Sequence, residues 1–119
     1  MTTDAPTSLG LLELYQTEWC PASRRVRQRL TELGVSYVCR QVPVERAERV
    51  ELRMRTDSNS IPALVCEHGG VRVGEEEIIA YLDARFPEPA GAEAHRAKAI
   101  KARKRELEEA IRCLEPVTH

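Results

Sequence analysis

The chain has 119 residues, enough for one domain with a modest core. Its 42% hydrophobic and 31% charged residues are ordinary for a globular chain in water, and no apolar run reaches the length of a membrane span. Lys plus Arg (18) and Asp plus Glu (19) nearly cancel to a net charge of −1, so no global field exists to attract nucleic acid or anionic lipid.

Met1 to Gly10 have neither a basic start nor an apolar centre and read as a flexible N-terminal tail, with a cytoplasmic location the simplest expectation. "LLELYQ" (Leu11 to Gln16) is a short, mostly apolar run and reads as a strand. A turn over Thr17 to Cys20 leads into a helix from Pro21 to Leu33. Its residues Val26, Leu30 and Leu33 fall at helical spacing, Pro21 suits the first helical position, and Gly34 suits a left-handed stop. "VSYVCRQV" (Val35 to Val42) is a second strand. A mostly charged helix is expected over Val44 to Arg55, with Ala47, Val50 and Met54 facing inward.

In the second half, "SIPALVCEHGGVRVG" reads as two strands, Ala63 to Glu67 and Val71 to Val73, joined by a Gly-Gly hairpin turn. A helix begins after Gly74. Glu75, Glu76 and Glu77 stand where the helix dipole favours negative charge, Ile78, Ile79, Leu82 and Phe86 form the buried face, and Pro87 and Pro89 end the helix. The last helix, Gly91 to Pro116, carries a thin stripe of Ala97, Ile100, Leu107, Ile111 and Leu114, suited to pack on the domain or on a partner. The order βαβ, α, ββα and a further α implies an α/β fold. A right-handed parallel βαβ unit is extended by a hairpin into a mixed four-stranded sheet flanked by helices.

The four cysteines are Cys20, Cys39, Cys66 and Cys113. No two have the spacing of a zinc knuckle or a dithiol pair, so no metal is expected. Cys39, Cys66 and Cys113 read as small buried hydrophobes. Cys20 differs, because unpaired backbone N–H groups and the positive end of the dipole at a helix N-terminus favour a thiolate, the reactive form. Arg24 and Arg25 lie in the same first turn. Ser23, one turn on, is placed for its hydroxyl to donate to the sulfur, yet it cannot close a disulfide.

"WCPAS" opening the first helix, "SIPALV" leading into the third strand and "GEEEIIAYLDARFP" as the third helix together resemble the thioredoxin fold. Within it the chain is most similar to glutaredoxins and to the N-terminal domain of glutathione S-transferases. The resemblance implies a thioredoxin-like domain over residues 11–88 and an appended helix and tail over 89–119. It also implies a cis Ile61–Pro62 bond beside the active cysteine, with the backbone of Ile61 pairing a thiol substrate. Two positions depart from the family. Gly74-Glu75 stands where transferases carry the Glu-Ser pair that binds the γ-glutamyl carboxylate of glutathione, and Thr17 stands where many glutaredoxins carry a lysine. Glu75 or Glu76 could instead receive the ammonium of that γ-glutamyl residue.

Two functional classes follow. In the first, Cys20, assisted by Ser23, performs monothiol thiol-disulfide exchange on mixed disulfides of proteins or small molecules. Glutathione or another low-molecular-weight thiol is then the co-substrate, held by Trp19, Pro21, Arg24, Ile61, Pro62, Glu75 and Glu76. In the second, the chain is a non-catalytic binding module or stand-alone transferase-like N-terminal domain. Neither class calls for nucleic acid or membrane, and the last helix offers a homodimer contact.

Overall fold

The apolar run after Leu11 becomes the central strand of the molecule. The computed structural model describes residues 11–114, so the tail expected at Met1 to Gly10 and the last residues, 115–119, lie outside it. Its elements are β1 (Leu12–Gln16), α1 (Pro21–Leu33), β2 (Tyr37–Gln41), α2 (Val50–Thr56), β3 (Ala63–Val65), β4 (Val71–Val73), α3 (Glu75–Arg85) and α4 (Ala92–Leu114). The sheet order is β2-β1-β3-β4, with β1 parallel to β2 and the other pairs antiparallel. This mixed sheet with flanking helices and an added C-terminal helix is the thioredoxin-like architecture expected.

All five residues of β1 are buried, and strand alternation sends them to different layers. Leu12 and Leu14 join Val26, Leu30 and Leu33 of α1, Leu64 of β3, and Ile78 and Leu82 of α3. Each such aliphatic side chain contributes about 1.5–3 kcal/mol by leaving water. The opposite face holds Tyr15, Ala63, Val65 and Leu52 of α2. Glu13 also lies in the strand centre at 1% exposure, where an unpaired carboxylate would be very costly. Arg55 of α2 offsets that cost with bonds of 3.0 Å to each carboxylate oxygen, and Arg40 of β2 adds a third at 2.9 Å.

α1 begins at Pro21 and stops at Gly34, whose φ of 69° is the left-handed conformation that glycine adopts without strain. On its outer side Arg29 reaches Asp83, Glu88 and Glu32, each at 2.8 Å, so one guanidinium ties α1 to the end of α3 and the connection beyond it.

Three expectations require correction. The charged helix over Val44 to Arg55 divides into a short 3-10 turn at Arg46–Glu48 and α2 proper, because Arg49 leaves helical geometry between them. The guanidinium of Arg49 is buried instead, on the carbonyls of Pro43 (2.8 Å), Asn59 (2.9 Å) and Val44 (3.1 Å). With the helix restarted at Val50, Leu52 faces the sheet, while Ala47, Val50 and Met54 face water. Cys39 and Cys113 are exposed, one on the edge strand β2 and the other on the outer part of α4; only Cys66 is a buried structural thiol of the kind expected. The stripe on α4 does not pack on the domain. Ala92 is buried at its start and Arg96 pairs with Glu32, Glu88 and Glu93, but Ile100, Leu107, Ile111 and Leu114 are exposed.

Candidate functional site

The parallel pairing of β1 with β2 runs in register from Leu12 opposite Tyr37 to Gln16 opposite Gln41, and β3 starts at Ala63 opposite both Tyr15 and Val73. The turn into α1, the β2–α2 connection, the segment entering β3 and the start of α3 therefore gather at one end of the sheet. Cys20, Ile61, Pro62, Gly74 and Glu75 all belong to that end, although they are spread over 56 positions of sequence.

Cys20 is the N-cap of α1. Its backbone is extended (φ −86°, ψ 115°) and its sulfur accepts the N–H of Ser23 at 3.3 Å. A sulfur in this place takes one of the unpaired N–H groups of the first turn at the positive end of the helix dipole, where negative charge is favoured. The sulfur bond thus comes from the backbone of Ser23, whereas its hydroxyl was expected as donor. That hydroxyl is fully buried and has no partner among the described residues, and the same holds for the hydroxyl of Thr17. Two buried hydroxyls therefore flank the cysteine turn with unspent hydrogen-bonding capacity. Pro21 is exposed at the first helical position, and Trp19 stands 61% exposed beside Cys20.

The turn is held from below. Arg27 binds the side chain of Gln16, the carbonyl of Thr17 (3.3 Å) and the carboxylate of Glu18 (3.1 Å), and the N–H of Cys20 closes onto the carbonyl of Thr17 at 3.4 Å. Arg49 does the same for the neighbouring loops, joining Pro43 and Val44 after β2 to Asn59 before β3. Neither arginine stood out in the sequence. Both sit in runs of charged residues, and nothing local separates a buried positioning arginine from a solvated one.

The Ile61–Pro62 bond is cis; Pro62 is buried and Ile61 half-buried. The carbonyl of Pro62 accepts the N–H of Gly74 at 2.9 Å, so the loop before β3 sets the start of α3. Gly74 has φ 96° and ψ 146°, a conformation that side chains resist, and contributes no side-chain cap. Glu75 does not stand free to receive an ammonium. Arg25 holds it by two hydrogen bonds, through Nε to one carboxylate oxygen and through Nη2 to the other at 2.8 Å. That pair keeps the Glu75 carboxyl below the usual carboxylate range. Glu75 in turn stabilises Arg25 in its charged form. Arg25 therefore bridges the starts of α1 and α3, whereas Arg24 is exposed and makes no ion pair among the described residues. Glu76 is exposed, and a shallow depression of about 450 Å³ is lined by Val73, Gly74 and the three glutamates. Its chemistry suits a cation better than a carboxylate. A second groove, of about 510 Å³, runs from Glu18, Arg24 and Arg25 along α1 to Ala99, Ala102 and Arg103 of α4.

The family described as "Glutathione S-transferase, N-terminal domain" matches residues 14–90. Among solved structures, a glutathione S-transferase domain-containing protein from Marinobacter aquaeolei is 28% identical, with a TM-score of 0.56, over 66% of this chain and 40% of its own. A rice glutathione S-transferase in complex with glutathione is 26% identical, with a TM-score of 0.57, over 74% of this chain and 43% of its own. A glutathione transferase homologue from Sulfitobacter with bound glutathione shares the fold at 21% identity and a TM-score of 0.59, over 75% of this chain and 47% of its own. The chain thus spans less than half the length of these relatives. No curated protein matches it. The matched segment runs from Leu14, within β1, through α3 and covers both sides of the Cys20 turn, so the chain belongs to the glutathione S-transferase N-terminal domain family.

Proposed function

We propose that the chain is a glutaredoxin-like monothiol oxidoreductase, acting through Cys20 on mixed disulfides of proteins or small molecules. Its co-substrate is glutathione or another low-molecular-weight thiol, and its working compartment is a reducing one such as the cytoplasm, where free thiols persist. The observation that carries the reading is the sulfur of Cys20 capping α1, 3.3 Å from the N–H of Ser23, beside the exposed Trp19 and at the same end of the sheet as Pro62. The thiolate attacks the glutathione sulfur of a mixed disulfide, forms a Cys20–glutathione disulfide and expels the substrate sulfur as a thiolate that takes a proton. A second glutathione thiolate then attacks the glutathione sulfur of that adduct, releasing glutathione disulfide and restoring the Cys20 thiolate. Ser23, which has no sulfur, keeps the cycle to one protein thiol.

A second reading, a binding module without turnover, draws support from the Arg25–Glu75 clamp at the start of α3. That clamp occupies the position of the family serine that holds the glutathione carboxylate.

Alkylation separates the two readings. Cys39 and Cys113 are exposed and serve as internal standards. Under the oxidoreductase reading, Cys20 reacts with iodoacetamide at pH 7 about tenfold or more faster than either, and glutathione disulfide leaves a single adduct, on Cys20, that the Cys20→Ser variant lacks. Equal rates at all exposed thiols, or adducts spread over several cysteines, would leave the binding module as the better account.

A further inference from the structure

Arg27 differs from the other arginines of α1 in what answers its charge. Arg25 is bound by Glu75, and Arg29 by Glu32, Asp83 and Glu88. Arg24 is exposed, so water and salt screen it. Arg27 is largely covered, with its side chain 19% exposed, yet two of its three contacts are neutral: the side-chain oxygen of Gln16 and the carbonyl of Thr17 at 3.3 Å. The one carboxylate that reaches it among the described residues is Glu18, at 3.1 Å. The Glu18 side chain is 88% exposed, and an acid so well solvated offsets little of the charge.

Its place on the helix matters as much. Seven residues make close to two turns, so Arg27 lies on the same side of α1 as Cys20, and side chains on a helix lean towards its N-terminus. The guanidinium is thereby carried back under the turn, where it meets Gln16, Thr17 and Glu18 in succession. The Thr17 carbonyl that accepts from Arg27 also accepts the N–H of Cys20, at 3.4 Å. Gln16 is fixed from its other side, its amide donating to Gln41 of β2 at 3.2 Å. One cation therefore joins the end of β1 to the turn that presents the sulfur.

We infer that Arg27 is a positioning residue for Cys20. Its guanidinium holds the Thr17–Cys20 turn over the start of α1, and its charge adds to the positive end of the helix dipole on the side where the sulfur lies. The Cys20 thiol accordingly gives up its proton at lower pH. Arg27 makes no bond to the sulfur itself and acts through the turn and through its field. This inference rests on the reading of Cys20 as a nucleophile, to which it adds a cation that "WCPAS" does not contain.

The pH profile of iodoacetamide alkylation, followed for each cysteine of the full chain with Cys39 and Cys113 as standards, tests this. Arg27→Gln should slow Cys20 by about three- to tenfold at pH 7 and leave Cys39 and Cys113 unchanged. At pH 10, where a thiol ionises without help, the same variant should come within about twofold of the native rate. Arg27→Met, which keeps the stem and its packing, repeats the measurement if Arg27→Gln does not fold. Arg27→Lys, which keeps the charge, should recover at least half of the loss. Glu18→Gln should hold or raise the pH 7 rate, whereas it would slow Cys20 if Arg27 were there only to pair with Glu18. A charge-free variant whose profile overlays the native one, a loss that persists at pH 10, a lysine no better than glutamine, or a slowed Glu18→Gln would each overturn the proposal. The native chain separates this from the reading beneath it. A native Cys20 no faster than Cys39 and Cys113 removes both, whereas a fast native Cys20 matched by the charge-free variants removes only the role of Arg27.

Discussion

Glu13 shows how much one residue can decide. A carboxylate in the central strand is tolerable only because Arg55 and Arg40 reach it, and the bond from Arg55 is the largest influence holding its carboxyl below the ordinary range, against the opposing effect of burial. The folded chain therefore binds this proton less readily than the unfolded chain does. The stabilisation is full above the ordinary carboxylate value of 4.5 and is lost as pH falls through the depressed folded value. The urea midpoint should accordingly fall between pH 6 and pH 3. Glu13→Gln should cost about 1–3 kcal/mol at pH 6 and flatten that dependence. Equal pH slopes for the native chain and the variant would show that other carboxylates carry the effect. Glu88 belongs to the same acid range, pulled down to about 2 by Arg96 first and Arg29 second, but it is exposed and its contribution is screened.

Among the elements, α1 and α3 meet at their N-terminal ends through Arg25 and Glu75, at one of the two places, Thr17 being the other, where the chain departs from the resemblance read in its sequence. Gly74 precedes a glutamate whose two oxygens are already engaged, so no side-chain hydroxyl caps α3. Glu75→Ser removes a negative charge and supplies that hydroxyl to the free N–H groups of the first turn. Calorimetry should then find glutathione bound at least several-fold more tightly than by the native chain. Stability should change by about 1 kcal/mol or less, because an exposed ion pair is worth little. Unchanged or weaker affinity would show that the start of α3 is not where the thiol's carboxylate lies. Much of this element level was legible in advance. α1 was readable from Pro21 to Leu33 because proline, apolar spacing and glycine all mark the same boundaries, and β4 and the start of α3 followed from the Gly-Gly turn and Gly74. α2 was not, because its apparent inward positions Ala47, Val50 and Met54 assume a helix unbroken at Arg49. Only the carbonyls of Pro43, Val44 and Asn59, which fold together from two separate loops, draw that side chain inside.

For the molecule as a whole, the main question is how α4 is attached. Arg96 reaches Glu32 of α1 at 3.1 Å and Glu88 at 2.9 Å, and Arg29 shares both carboxylates, so two guanidinium groups and two carboxylates form the joint between the helix and the domain. Burial pushes the Glu32 carboxyl up, but hydrogen bonds from Gln28, Arg29 and Arg96 outweigh it and hold the group below its ordinary value. Arg96→Ala should speed amide hydrogen exchange over the first half of α4, while β1 keeps its protection because its bonds break only on global unfolding. Slowed exchange, or exchange raised equally in β1, would mean that the joint is not local. The sequence by itself determined the order of elements, the α/β class and the place of Cys20 at a helix start, because these depend on residues a few positions apart whose spacing and turn chemistry act locally, while the thioredoxin-like class came from the resemblance carried by "WCPAS", "SIPALV" and "GEEEIIAYLDARFP". Only the tertiary structure decided that Cys39 and Cys113 lie in water, that Glu75 is held by Arg25, that the Cys20 sulfur takes a backbone N–H with the Ser23 hydroxyl left over, and that the α4 stripe is uncovered. Apart from the Cys20–Ser23 bond, which joins residues three apart, each of those outcomes depends on which distant segment lies opposite, and that is set by how the sheet and helices pack.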